Sequence, residues 1–134
     1  MSRWFCVDSR ERLQSLFVIA GDLNADPFDS SGYLGAIAQL IEHPAIQGRL
    51  TWTSPGAEAM AEQGGANRNH LGPRSQDTGD FPDNGPGNLR VDYCLPSRKL
   101  RVVGSGVYWP LPNQEGSELV TASDHRLVWT DVAR

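Results

Sequence analysis

Asp22 and Asn24 stand two residues apart in the stretch VIAGDLNADP, immediately after a short apolar run. A carboxylate at such a corner can take a proton from water, and an uncharged amide can donate a hydrogen bond to a developing oxyanion, where a second carboxylate would repel it. If the strand continues, residues two apart project to one face and the two groups act together. The alternation of Asp22, Asn24 and Asp26 also resembles the opening of a calcium loop. That loop needs glycine at its sixth position and a bidentate glutamate at its twelfth, and this chain has Pro27 and Tyr33 there. Two later stretches carry comparable groups, Arg90-Val91-Asp92-Tyr93 and Ser123-Asp124-His125. Neighbouring residues point apart in extended backbone, so Ser123, Asp124 and His125 cannot form a consecutive serine triad, and the acid and the imidazole must serve different partners. Gly104-Ser105-Gly106 lacks the spacing of a nucleophile elbow.

The elements that must position these groups follow from pattern. LFVIAG reads as a buried strand ending at Gly21, because it is continuously apolar with β-branched centres. Leu34, Ile37, Ala38, Leu40 and Ile41 recur at helical spacing; Ser30 or Ser31 can cap that helix, and Pro44 stops it after His43. Residues 55–88 are rich in glycine, proline and polar side chains without sustained period, which predicts a long polar loop. LRVDYCLPS, LRVVGSGVYWP and RLVWTDV read as three strands. Strand, helix, loop and three strands suggest a layered α/β or α+β arrangement with one sheet partner absent. DSRERLQS, residues 8–15, is charged and could form a helical turn within a leader of residues 1–16, ahead of a single unit over 17–134.

Composition narrows the function classes. At 134 residues the chain suits one modest domain or part of one, and its formal net charge of −4 argues against a nucleic-acid binder that relies on a broad basic surface. Cys6 and Cys94 form no CxxC or Cys/His cluster, so they read as free thiols rather than a zinc site or disulfide framework. There is no apolar run of membrane-spanning length and no signal-peptide core in the chain as given. Trp52, Trp109 and Trp129 lack interleaved basic residues and read as packing residues rather than a base-stacking platform. His43 reads as helix-end structure, and His70, within the loop, as a solvated residue or a weak substrate-binding candidate.

Taken together and in order, GDLNADP, RVDY-x-LPS and SDH resemble the endonuclease/exonuclease/phosphatase superfamily over residues 17–132. The resemblance implies a four-layered α/β sandwich of the deoxyribonuclease I type and metal-dependent phosphoester hydrolysis by in-line attack of water. It assigns Asp22 as the base or water-orienting group, Asn24 as a transition-state donor, His125 as the contact to the scissile phosphate and Asp92 as the partner of its other ring nitrogen. Asp124 would hold a hard divalent cation, Mg²⁺ with Mn²⁺ or Ca²⁺ as alternatives, and Arg90 and His70 are weaker substrate-binding candidates. Taken singly, the same residues also fit bland roles: Asp22 and Asn24 as a turn cap, Asp92 as an edge-strand charge, His125 as a surface histidine.

Complete members also carry an asparagine, a glutamate and a second histidine in their first half, and none is visible here. The chain therefore reads as the carboxyl-terminal half of such a domain, completed by a missing amino-terminal half or another chain. The acidic balance and polar loop favour a phosphatase or phosphodiesterase of small or exposed substrates. An endonuclease is the near alternative, and a catalytically silent fragment or interaction module is the alternative of another class.

Overall fold

The computed structural model describes residues 16–33 and 35–133. The expected helical turn at 8–15 and Cys6 lie outside the described residues. The apolar run becomes strand β1 (Val18–Asp22), which runs one residue past Gly21. It is not buried as expected: apart from the half-covered Ile19 its residues are exposed. β1 pairs antiparallel with β4 (Asp92–Pro96), setting Val18 opposite Pro96 and Asp22 opposite Asp92. Among the described residues it has no second neighbour, and a strand with one neighbour keeps an open edge. β4 alternates as a half-buried strand must, Tyr93 and Leu95 inward, Asp92 and the free thiol of Cys94 half-covered.

Strand β5 (Arg101–Tyr108) pairs antiparallel with β6 (Leu127–Ala133), with a bulge between Val102 and Gly104. Val107 and its partner Val128 face the core, and the indole N–H of Trp52 donates to Thr130 Oγ1 at 3.2 Å. Leu127 and Trp129 stay exposed on the other face. Trp129 lies flat over Gly106, where an added Cβ would come within 2.9 Å of the ring. Trp52 and Trp109 are core residues, as expected, and the core also holds Ile37, Ile46, Tyr93 and Leu95.

Helix α1 (Gly35–Ile41) forms where the apolar spacing put it, burying Ile37. Of the two serines expected as its cap, Ser30 makes a turn inside the preceding loop, its Oγ accepting the Gly32 N–H at 3.3 Å. At the other end His43 N–H reaches the Leu40 carbonyl and His43 Nδ1 accepts the Ala45 N–H at 3.1 Å, a helix-end role.

Residues 55–88 are not one long loop. Helix α2 (Pro55–Met60) starts at Ser54, whose hydroxyl accepts the Ala57 N–H at 3.2 Å, with proline in the first turn. Three 3₁₀ turns follow at Ala61–Gln63, Gly65–Asn69 and Arg74–Gln76, and then the short strands β2 (Gly79–Asp80) and β3 (Asn88–Leu89) pair with each other. Such turns are too short to carry a hydrophobic period, and side-chain bonds to backbone hold them instead. Asn67 is the pin: its Oδ1 accepts the Asn88 N–H at 2.7 Å and its Nδ2 donates to Asp83 at 3.0 Å. The whole is α+β, built of small antiparallel ladders with short helices.

Candidate functional site

The first corner is a turn, not an extended strand. Gly21 has φ +140°, and nothing lies within 4 Å of where its Cβ would stand, so the backbone angle and not crowding calls for glycine. β1 then stops at Asp22. The Asp22 carboxylate accepts the Asn24 backbone N–H at 2.8 Å and its side-chain amide at 3.2 Å. Asn24 sits at φ +49°, a left-handed conformation that asparagine tolerates better than most residues. The two groups meet as expected, but by a turn that Asp22 itself caps rather than by strand alternation. The turn-cap role that these residues fit singly is therefore present. Both residues are exposed. Their turn is fastened to the β3–β4 junction by Leu23 N–H on the Val91 carbonyl at 2.9 Å, and by the Tyr93 hydroxyl, which donates to the Ala25 carbonyl at 2.7 Å.

The second and third corners meet the first. Strand register puts Asp92 directly across from Asp22. His125, bridged to Gly79, brings its Nδ1 to 3.0 Å and 3.2 Å from the two Asp92 carboxylate oxygens. That hydrogen bond holds the imidazole above its ordinary pKa against the opposing effect of burial, and the charges of Asp92, Asp22 and Asp124 act in the same direction. Ligating atoms of Asp22, Asp92 and His125 all lie within 4.8 Å of one another. Asp124 is outside that triangle; it is exposed, and its carbonyl accepts the Asp80 N–H at 2.8 Å. Phe81 abuts the His125 ring edge-on, centroids 5.5 Å apart.

The next residue, Arg126, anchors this corner from behind. Its Nη2 is 2.9 Å from Asp80 and its guanidinium lies over Trp109 at 4.4 Å. Burial raises Asp80 and lowers Arg126 from their usual pKa values, each partly offset by the other.

His70 and Arg90 make their contacts elsewhere. The His70 side chain is 4% exposed, with Nε2 at 2.9 Å from the Asn88 carbonyl, 3.4 Å from Asp29 and 3.5 Å from Asp77. It is thus no solvated loop residue. Arg90 is buried over Trp52 and Tyr93, 4.9 Å and 5.1 Å from the ring centroids, and donates to Gln76 at 2.8 Å. Around them runs a knot of acids. Asp26, 2% exposed, accepts the N–H groups of Phe28, Asp29 and Arg90, and Asp29 accepts those of Leu71 and Gly72. Sequence reading gave no structural weight to Asp26, Asp29 or Thr78. Their only signal is the density of Asp, Asn and Thr in stretches without an apolar period, a composition that marks backbone capping in general and no partner in particular.

Carboxylates, an amide and an acid-oriented imidazole gathered at the ends of antiparallel strands form the kind of donor set from which metal-assisted hydrolases are built. The sequence pattern of the Endonuclease/Exonuclease/phosphatase family matches residues 8–125, and the chain belongs to that family. Its members include metal-dependent phosphoesterases and nucleases, and they generally use divalent metals. No curated protein and no solved structure matches the chain.

Proposed function

We propose that this corner hydrolyses phosphoesters by in-line attack of water, within a deoxyribonuclease I-like sandwich of which the chain supplies the carboxyl-terminal half. The observation that carries the reading is the meeting of Asp22, Asp92 and His125 within 4.8 Å, brought from three distant stretches of a chain of this family. Asp22 orients or deprotonates the attacking water. Asn24, its amide held beside that carboxylate, donates to a phosphoryl oxygen in the transition state. Asp92 fixes His125 through Nδ1, which leaves Nε2 to donate to the scissile phosphate.

The donor set fits a hard cation, because the groups converging here are mostly carboxylate oxygens. The family resemblance assigns the ion, Mg²⁺ with Mn²⁺ or Ca²⁺ as substitutes, to the exposed Asp124, which lies outside the Asp22–Asp92–His125 triangle. When bound, the ion neutralises charge on the phosphoryl and leaving oxygens.

Hydrolysis of a phosphodiester and a phosphomonoester chromogen, measured with and without Mg²⁺, tests the reading. Mg²⁺-dependent turnover that Asp124→Ala abolishes is expected, and turnover indifferent to that change overturns the metal assignment. Cleavage of nucleic acid in preference to the small esters would move the reading to an endonuclease. A folded chain inactive on all of them would favour an interaction module, for which the exposed Leu127 and Trp129 on β6 would be the natural surface.

A further inference from the structure

Thr78 lies in the stretch that composition marks as loop, yet it is fully buried, and four hydrogen bonds converge on it. Its Oγ1 accepts two backbone N–H groups, that of Val91 at 3.0 Å and that of Asp92 at 2.9 Å. Its own N–H donates to the Leu89 carbonyl at 2.9 Å, and its carbonyl accepts the Arg126 N–H at 2.7 Å. One residue thus grips the strand that begins with Asp92 on one side and the backbone just after His125 on the other. The next residue, Gly79, bridges to His125 itself, and Asp80 N–H reaches the Asp124 carbonyl.

We propose that Thr78 is a positioning residue that sets the Asp92–His125 pair, an inference whose catalytic consequence rests on the hydrolase reading above. Asp92 and His125 are 33 residues apart in sequence, and their side chains meet at 3.0 Å. A hydrogen bond of that length is lost if either backbone moves by about an ångström. The Thr78 hydroxyl uses both its lone pairs to fix the first residue of β4, while its peptide group fixes the His125 segment. The side chain is therefore the adjustable half of the link. Replacing it leaves the backbone bonds to Leu89 and Arg126 in place and releases only the Asp92 side.

The test compares Thr78→Val, similar in shape without the acceptor, with Thr78→Ser, which keeps it. The first readout is the imidazole ¹⁵N spectrum of His125 in ¹⁵N-histidine-labelled protein at fixed pH, which reports the Nδ1 hydrogen bond whether or not the chain turns over. Thr78→Val should shift the Nδ1 signal and Thr78→Ser should restore it. The second is steady-state hydrolysis: kcat should fall by at least about tenfold in Thr78→Val, as a misplaced group does, with KM held within about twofold. In an Asp92→Ala background the same substitution should change kcat no further, because the residue acts through Asp92. An unchanged imidazole signal in a folded Thr78→Val protein overturns the proposal, even if the protein is less stable. If Thr78→Val does not fold, Thr78→Cys, whose sulfur is a weak acceptor, takes its place with the same two outcomes. A wild-type chain without hydrolysis refutes the hydrolase reading alone, and the spectrum still decides the role of Thr78.

Discussion

Two clusters of this molecule are built from the same side chains and come to opposite ends. At the open corner, His125 lies 3.0 Å from Asp92, their side chains 34% and 14% exposed. In the buried knot, His70 lies between Asp29 and Asp77 at 3.4 Å and 3.5 Å, and all three side chains are under 10% exposed. The difference lies in what the oxygens do. In the knot, Asp26 and Asp29 spend their carboxylates on five backbone N–H groups across three segments. At the corner, Asp22 accepts only from Asn24 among the described residues and Asp124 is exposed, so both keep lone pairs that a substrate or an ion can reach. An Asp–His pair is a structural device where water is excluded and backbone N–H groups occupy the neighbouring carboxylates, and a chemical one where a side is left open. If this contrast is right, substitutions in the knot should act on stability, and those at the corner on activity with stability nearly untouched.

The largest effect on stability is expected at Asp26. Asp26→Ala strips the acceptor from three N–H groups, and leaving a buried donor without a partner costs about 1–3 kcal/mol each. Some relaxation and water entry are certain, so urea denaturation should show a loss of about 3–5 kcal/mol. A loss below ~1 kcal/mol would erase the distinction between the clusters. Asp26→Asn, which keeps one acceptor oxygen, should fall between the two.

The same contrast explains what could be read from sequence. The corner was legible because the three short stretches that hold Asp22, Asn24, Asp92 and His125, taken together and in order, resemble one family, whereas α1 followed from its period and β4, β5 and β6 from strand-like runs set off by turn residues. The burial of β1 was misjudged because a continuous apolar run looks alike whether one face or two are covered; covering depends on a neighbouring strand, which the run itself does not encode. The order of residues 55–88 was missed because Ser54, Asn67, Asp26 and Thr78 organise it by bonds to distant backbone, and those partners have no fixed offset in the chain. Asp22 and Asn24 meet through the turn-cap alternative and not through strand alternation, since the left-handed turn depends on a backbone angle and not on a period.

A smaller, pH-dependent effect is expected from Asp77. Burial raises its pKa from the usual carboxylate value to about 7, with the neighbouring His70 opposing the shift and other acids adding to it. A carboxyl raised in the folded state is protonated there while the unfolded chain is already ionised, so its contribution to stability is complete below about pH 4 and is lost as pH climbs through about 7. The limiting slope is ~1.4 kcal/mol per pH unit. Asp77→Asn removes the ionisation. The difference in unfolding free energy between variant and wild type should therefore be flat at low pH and grow in the variant's favour between about pH 4 and 7. A constant difference across that window would mean that Asp77 titrates as an ordinary surface acid.

The smallest effect on stability belongs to the corner, and it sharpens the comparison most. Asp22→Ala removes two hydrogen bonds, but both lie in solvent, where water replaces the lost acceptor at once. The fold should lose no more than about 0.5–1 kcal/mol by denaturation. On the hydrolase reading, turnover should nonetheless fall by about a hundredfold or more, the usual consequence of removing a group that activates the nucleophile. The two readouts pull apart only if the carboxylate works on something outside the chain. Asp22→Asn separates the remaining ambiguity, because an amide can still accept the Asn24 N–H and keep the turn, while it cannot take a proton from water. Wild-type stability with collapsed turnover in Asp22→Asn assigns the carboxylate to chemistry, and retained turnover assigns it to the turn alone.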